Sequence, residues 1–214
     1  MKKLLLLFAA LLIAGCGEKS SPEDSDSAIE KPTPPSGDVK PSADSPEPLI
    51  SDADVERFAK DAMDIEAASP PADYTGWTKI VIGGRLLELM QWKNGEPDGP
   101  SVMWHKNGQK SLETTNKDGK QDGLETEWYG NGQKKSEETW KDGEPYGTGT
   151  MWYENGQKYM ELTVKDGKID GPATGWHENG QKAMEGILKD DELVSGKYWN
   201  SKGEEVETWE EAQK

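Results

Sequence analysis

One cysteine and two histidines in 214 residues remove several classes of protein at once. A single thiol, Cys16, cannot close a disulfide within the chain. His105 and His177 occupy the same position of a repeat, three copies apart. At the usual strand spacing that is about 28 Å, too far to share a metal, and exposed strand residues are the expected role. No serine or cysteine stands in a recognisable frame with a histidine base, and no phosphate-cradling glycine loop precedes a helix. Asp118 with Asp122 and Asp166 with Asp170 flank glycines, but without the ligand count of a calcium loop they read as turn formers. The expectation is a non-enzyme with no metal and no cofactor. Basic side chains are scarce, 25 Lys and Arg against 41 Asp and Glu, and residues 1–73 and 74–214 each carry a net −8. Without a basic stripe the attraction that drives nucleic-acid binding is missing, so no such partner is expected. The longest apolar run, Leu4 to Ile13, is too short to span a bilayer stably.

What is present is unevenly distributed. All nine tryptophans lie between Trp77 and Trp209, whereas nine of the thirteen prolines lie between Pro22 and Pro71. A tail precedes a domain. Lys2 and Lys3, the apolar run, and Ala14-Gly15 ahead of Cys16 have the layout of a secretory signal over residues 1–15. Ile13-Ala14-Gly15-Cys16 resembles the bacterial lipobox, which implies cleavage before Cys16 and acyl chains on that residue. Two or three chains make a stable membrane anchor. Gly17, rather than Asp, after the cysteine favours the outer membrane by the same resemblance.

Residues 16–50 then read as the lipidated cysteine and a disordered acidic Pro/Ser linker, since Glu18 to Pro48 has almost no large apolar side chain to offset ordering entropy. Ser51 can cap a helix with Asp54 three residues on, and Val55, Phe58, Ala59, Ala62 and Ile65 share a face. An amphipathic helix over 51–68, ended by Ser69-Pro70-Pro71, is expected to cover an exposed end or edge of the sheet built by the residues after it.

From 74 to 209 one phrase organises the chain. Asn-Gly-Gln-Lys recurs at Asn107, Asn131, Asn155 and Asn179, each with a tryptophan three residues earlier (Trp104, Trp128, Trp152, Trp176) and Lys-Asp ten residues later. A fixed period of 24 residues means stacked copies of one supersecondary unit. Short alternating runs between glycine turns make that unit a β-hairpin. A degenerate copy starts near Thr78, and a last one at Trp199 carries Glu205 in the lysine position; atypical ends suit capping repeats. Residues 210–214 form a tail.

Two turns suit Asn-Gly: a two-residue loop setting Trp104 opposite Ser111, or a three-residue loop setting it opposite Lys110. Leu112, Trp140, Met160, Leu162, Val164, Met184 and Leu188 share the parity of the motif lysine. Only the longer loop places them on the tryptophan side, because a one-residue slip exchanges the faces. This predicts left-handed Gly108, Gly132, Gly156 and Gly180. It also sets Lys110, Lys134, Lys158 and Lys182 each over the indole of its own hairpin, for about 0.5 to 1 kcal/mol of cation–π attraction. Tryptophans of successive copies form a row about 9.5 Å apart. Glu113, Glu137, Glu161 and Glu185 fall on the other, wetted face.

Gly-x-x-x-x-Trp-[Tyr/His]-x-Asn-Gly-Gln-Lys, seen at Gly123 to Lys134 and Gly171 to Lys182, resembles the bacterial variant of the MORN repeat. The resemblance covers about Thr78 to Trp209. It implies an all-β fold, an elongated single-layer antiparallel sheet of about six tandem hairpins, and a scaffold or a surface for protein or lipid contact. Some relatives carry the label of a toxin–antitoxin antitoxin. The leading expectation is an envelope lipoprotein held to the membrane through Cys16, its repeats binding a protein partner. The alternatives are an antitoxin-like neutraliser of a toxin and a glycan or cell-wall binder using the tryptophan row.

Overall fold

The computed structural model describes residues 49–65 and 69–214. The signal segment, Cys16 and most of the linker lie outside the described residues.

The described chain is all-β with a short helix at each end. Helix α1 (Asp52–Asp61) is followed by β1 (Met63–Asp64), β2 (Gly76–Ile82), β3 (Arg85–Lys93), β4 (Glu96–Trp104), β5 (Lys110–Lys117), β6 (Lys120–Gln121) and β7 (Gly123–Trp128). Then come β8 (Lys134–Lys141), β9 (Glu144–Pro145), β10 (Gly147–Trp152), β11 (Lys158–Lys165), β12 (Lys168–Trp176), β13 (Lys182–Lys189), β14 (Glu192–Trp199), β15 (Glu205–Val206) and α2 (Trp209–Ala212). They make one open sheet of 15 strands in sequence order, with β6 and β9 as short side branches on β5 and β8. All pairs are antiparallel except β1 with β2. Local punctuation sets this order: from β2 onward every connection is a tight turn, and a tight turn can only return the chain beside itself.

The Asn-Gly turns take the longer form. Trp104 pairs with Lys110, Trp128 with Lys134, Trp152 with Lys158 and Trp176 with Lys182, and Trp199 with Glu205 in the last copy. Gly108, Gly132, Gly156 and Gly180 are left-handed at φ of 90, 85, 83 and 83°. The Asp-Gly turns are of the two-residue kind, with positive φ at both Asp118 and Gly119, for example, which matches the twist of flanking strands.

The faces differ from the expected ones. Just past each paired lysine the register shifts, so that Met103 faces Leu112 while Trp104 faces Lys110. One extra residue in strand two (Ser111, and by the repeat Lys135, Tyr159 and Ala183) reverses the side-chain alternation beyond it, as a β-bulge does. The strand-two apolar residues therefore lie on the side of the sheet away from the repeat tryptophans, and the glutamates expected to be wet share the tryptophan face. That face carries an unbroken row of paired positions: Leu89, Val102, Glu113, Thr126, Glu137, Thr150, Glu161, Thr174 and Glu185. We call it the lysine face. The far face carries Leu112, Trp140, Met160, Leu162, Val164, Met184 and Leu188, all buried except the half-buried Trp140, while Leu89 and Val102 are fully buried on the lysine face.

The first helix is shorter than expected. Ser51 Oγ accepts from the Asp54 backbone N–H, but the helix stops at Asp61, because Met63 and Asp64 turn extended and add a parallel strand to β2. Phe58 stacks on Trp77 at 4.4 Å, and Lys79 Nζ donates to Ala59 O at 3.0 Å. Helix and strand thus cover the first edge, where unpaired backbone would invite another chain. At the other end the expected tail forms α2, with Trp209 against Tyr198 at 6.2 Å and Ala212 fully buried.

Candidate interaction surface

The motif residues act between copies. Asn107 Nδ2 donates to Gly130 O of the next turn, and Asn131, Asn155 and Asn179 do the same to Glu154, Glu178 and Ser201 at 2.9, 2.9 and 2.7 Å. Each asparagine Oδ1 also accepts the N–H of the glutamine two residues on. That glutamine packs against the next turn glycine, Gln109 on Gly132 and Gln157 on Gly180. The lysines follow the same rule. Lys134, Lys158 and Lys182 sit 5.5, 5.6 and 5.5 Å above the rings of Trp152, Trp176 and Trp199, the tryptophans of the following copy. Backbone pairing places each lysine opposite its own tryptophan, and the bulge swings its side chain onward.

The same ammonium groups meet the displaced glutamates: Lys134 with Glu137 at 2.5 Å, Lys158 with Glu161 at 2.5 Å, Lys182 with Glu185 at 2.6 Å. Residues three apart on a regular strand point to opposite sides, so these pairs exist only because of the bulge. In the first copy the group is recruited differently. Lys110 Nζ reaches Glu113 at 3.3 Å and Ile50 O at 3.4 Å, while Glu113 Oε1 accepts the Ile50 N–H. The chain entering from the linker is clamped onto the lysine face at that point.

The histidines are not simple exposed strand residues. His105 Nε2 lies 2.9 Å from Trp128 O, and His177 Nε2 lies 2.8 Å from Trp199 O. Between them Tyr129 OH donates to Trp152 O and Tyr153 OH to Trp176 O at 2.8 and 2.9 Å. Every occupant of this position can donate a hydrogen bond at the same reach, which was the readable signal. Asp118 and Asp166 stand in left-handed turns at φ of 48 and 50°. In the degenerate turn Asp191 keeps the left-handed backbone at φ of 72°, and its carboxylate accepts the Ile169 N–H at 2.7 Å.

The onward stacking has a direct test. A double-mutant cycle on Lys158→Met and Trp176→Leu should return about 0.5 to 1 kcal/mol of coupling, and the cycle with Trp152 close to none. Equal coupling to both tryptophans would restore the own-hairpin pairing.

The far face holds the groups with unusual protonation. Glu125 and Glu138 are paired directly across β7 and β8 and both are buried. Gln121 Nε2 donates to Glu125 Oε2 at 2.6 Å and to Thr114 Oγ1 at 3.0 Å. Burial raises the Glu125 carboxyl above its ordinary range, with the Gln121 hydrogen bond opposing it. Glu138 has no such donor among the described residues, and burial, together with the negative charges of Glu125 and Glu127, pushes it up to about 7. Lys135, the nearby cation, is taken by Glu127 at 2.9 Å.

The repeat family described as the MORN repeat variant matches residues 121–142 and 145–166, two adjacent windows in phase with the 24-residue period. No curated protein matches the chain. The matched copies make the same asparagine, lysine and aromatic contacts as the copies beyond them, down to the bond from Asn179 and the stack of Lys182. The windows, the period and the shared contacts agree: residues 121–166 hold two repeats of the MORN variant, and the neighbouring copies are built in the same way.

Proposed function

We propose that the chain is a non-catalytic, membrane-anchored lipoprotein whose repeat sheet serves as a protein-binding or scaffold surface in the bacterial envelope. A MORN array points to a repeat-based binding or scaffold protein, and the finer reading rests on how the motif residues are used. Asn, Gln, Lys and the His/Tyr position each engage the next copy, which leaves the repeated side chains committed to holding the sheet rather than converging on a reacting atom. The lipobox run and the polar linker support attachment through Cys16, with the outer membrane favoured. The glycan reading needs bare indoles, and three of the five repeat tryptophans carry a lysine ammonium over the ring. The antitoxin reading has only the label of relatives behind it.

Fractionation of tagged protein should place the wild type with membranes and Cys16→Ser in the soluble or unprocessed pool. Membrane recovery unchanged by Cys16→Ser, or a soluble cytoplasmic wild type, would remove the anchor from this reading.

A further inference from the structure

Strand two of each complete hairpin runs 8 residues from lysine to lysine, as β5, β8, β11 and β13 do. In the last copy it is cut to β15, 2 residues long, because the chain after it turns into α2. Thr208 Oγ1 accepts the Glu211 N–H at 3.3 Å and Glu211 Oε2 accepts the Glu207 N–H at 3.1 Å, and both bonds hold a helix start. Strand β14 therefore has β13 along one side and, on the other, only Val206 and Glu205, opposite Tyr198 and Trp199. From Glu192 to Lys197 its outer backbone faces no strand among the described residues, and every residue of that stretch is exposed. The previous copy shows what a neighbouring strand covers. Ile169 faces Val164 as Leu193 faces Leu188, yet Ile169 is 3% exposed and Leu193 39%. Val194 is 66% exposed, and Ile187, opposite Ser195, is 47% exposed. Helix α1 and β1 close the first edge of the sheet; this edge stays open, and an unpaired apolar strand is a template for another chain.

We propose that the outer edge of β14 is the docking site for an extended segment of a partner protein, which joins the sheet as the missing strand two and carries aliphatic side chains followed by Lys or Arg at its C-terminal end. This deepens the binding function proposed above and rests on it. A strand added antiparallel to β14, as β13 is on the inner side, ends at Glu192, beside Asp190 and Asp191 of the turn. In the array each strand two has a lysine at that end, and Lys189 is the residue opposite Glu192 on the inner side. Main-chain bonds hold such a segment, and its alternate side chains reach the two faces, one set beside Leu193 and the other beside Ser195. The basic end fixes the direction. A second copy of β14 fits this edge poorly, because antiparallel pairing sets the Asp190-Asp191 turn of each chain against Glu205 and Glu207 of the other.

The test uses the full-length protein in lipid nanodiscs and the peptide acetyl-Thr-Leu-Thr-Val-Lys-amide, which copies β11 from Leu162 to Lys165 behind a threonine. At saturating peptide, exchange of the outward amides of β14 should slow at least about tenfold while β3 to β12 keep their rates. Alternate amides of a strand point to opposite edges, so N-methylation of Leu and Val and N-methylation of the two threonines should differ: one pair abolishes binding and the other preserves it. Exchanging the terminal Lys for Glu should weaken binding at least about threefold, and Glu192→Gln should shrink that preference. No protection of β14 at millimolar peptide, equal effects of the two N-methylated peptides, or equal affinity of the Lys and Glu peptides would each overturn the proposal. So would β14 amides already slow without peptide, or self-association in light scattering that the peptide reverses, which puts a second copy on the edge. Failure here, with Cys16-dependent membrane recovery intact, removes the partner chemistry alone; loss of Cys16 dependence removes the anchor and leaves the peptide result standing.

Discussion

Glu138→Gln should stabilise the protein at pH 8 by roughly 3 kcal/mol and flatten its stability between about pH 4.5 and 7. The folded carboxyl sits at about 7 against an ordinary value of 4.5. Below 4.5 the folded and unfolded chains both hold the proton, and burial of the neutral acid carries no charge penalty. Between 4.5 and 7 the unfolded chain releases its proton while the folded chain keeps it, so stability falls by about 1.4 kcal/mol for each pH unit. Above 7 both are ionised and the loss is complete. A glutamine has the shape of the neutral acid and nothing to ionise. Urea unfolding of wild type and variant should therefore coincide near pH 4, diverge up to pH 7 and run parallel above it. The two carboxyls face each other and titrate as a pair, so Glu125→Gln should shift the falling segment of the wild-type curve to lower pH. Parallel curves for wild type and Glu138→Gln over the whole range would mean that the pair is solvated and the far face open.

This site was the least legible part of the sequence. Glu125 and Glu138 occupy repeat positions filled elsewhere by Gly149 and Leu162, so one copy departs from the pattern, and only the bulge register brings the two glutamates opposite each other. The turn type was readable, because Asn-Gly flanked by alternating residues admits two loops and the parity of the apolar residues selects one. The same parity misassigned the faces. A turn fixes only the first pair, and the extra residue beyond each lysine leaves no mark on period or composition. Its trace is the spacing from Lys134 to Glu137 and its counterparts, a three-residue separation that makes ion pairs only across a bulge. Inter-copy contacts were illegible for a related reason: repetition shows that positions are equivalent without showing whether a side chain serves its own copy or the next.

The capping of the first edge gives the second large effect. Gly95→Ala should cost about 3 to 4 kcal/mol, against about 1 to 2 for Gly108→Ala. Both glycines are left-handed, at φ of 76 and 90°, so each alanine pays the same conformational penalty of about 1 to 2 kcal/mol. Only one of them meets a neighbour. A Cβ on Gly108 has nothing within 4 Å, whereas one on Gly95 would stand 2.6 Å from the carbonyl carbon of Ala72 and closer still to its oxygen. Those are backbone atoms, which cannot rotate away as a side-chain end can. The segment has to withdraw, and with it goes the bond from the Gly95 N–H to Tyr74 O at 2.8 Å, adding an overpacking cost of about 1 to 3 kcal/mol. The damage should stay local, because each unit of a repeat array leans on its neighbours alone. Hydrogen exchange should therefore rise in β1, β2 and α1 of Gly95→Ala while β10 to β13 keep wild-type protection. If instead the two alanines destabilise equally, the approach of Ala72 to the Asn94-Gly95 turn contributes nothing, and the first hairpin is held by Phe58 and Trp77 without help from the segment between them.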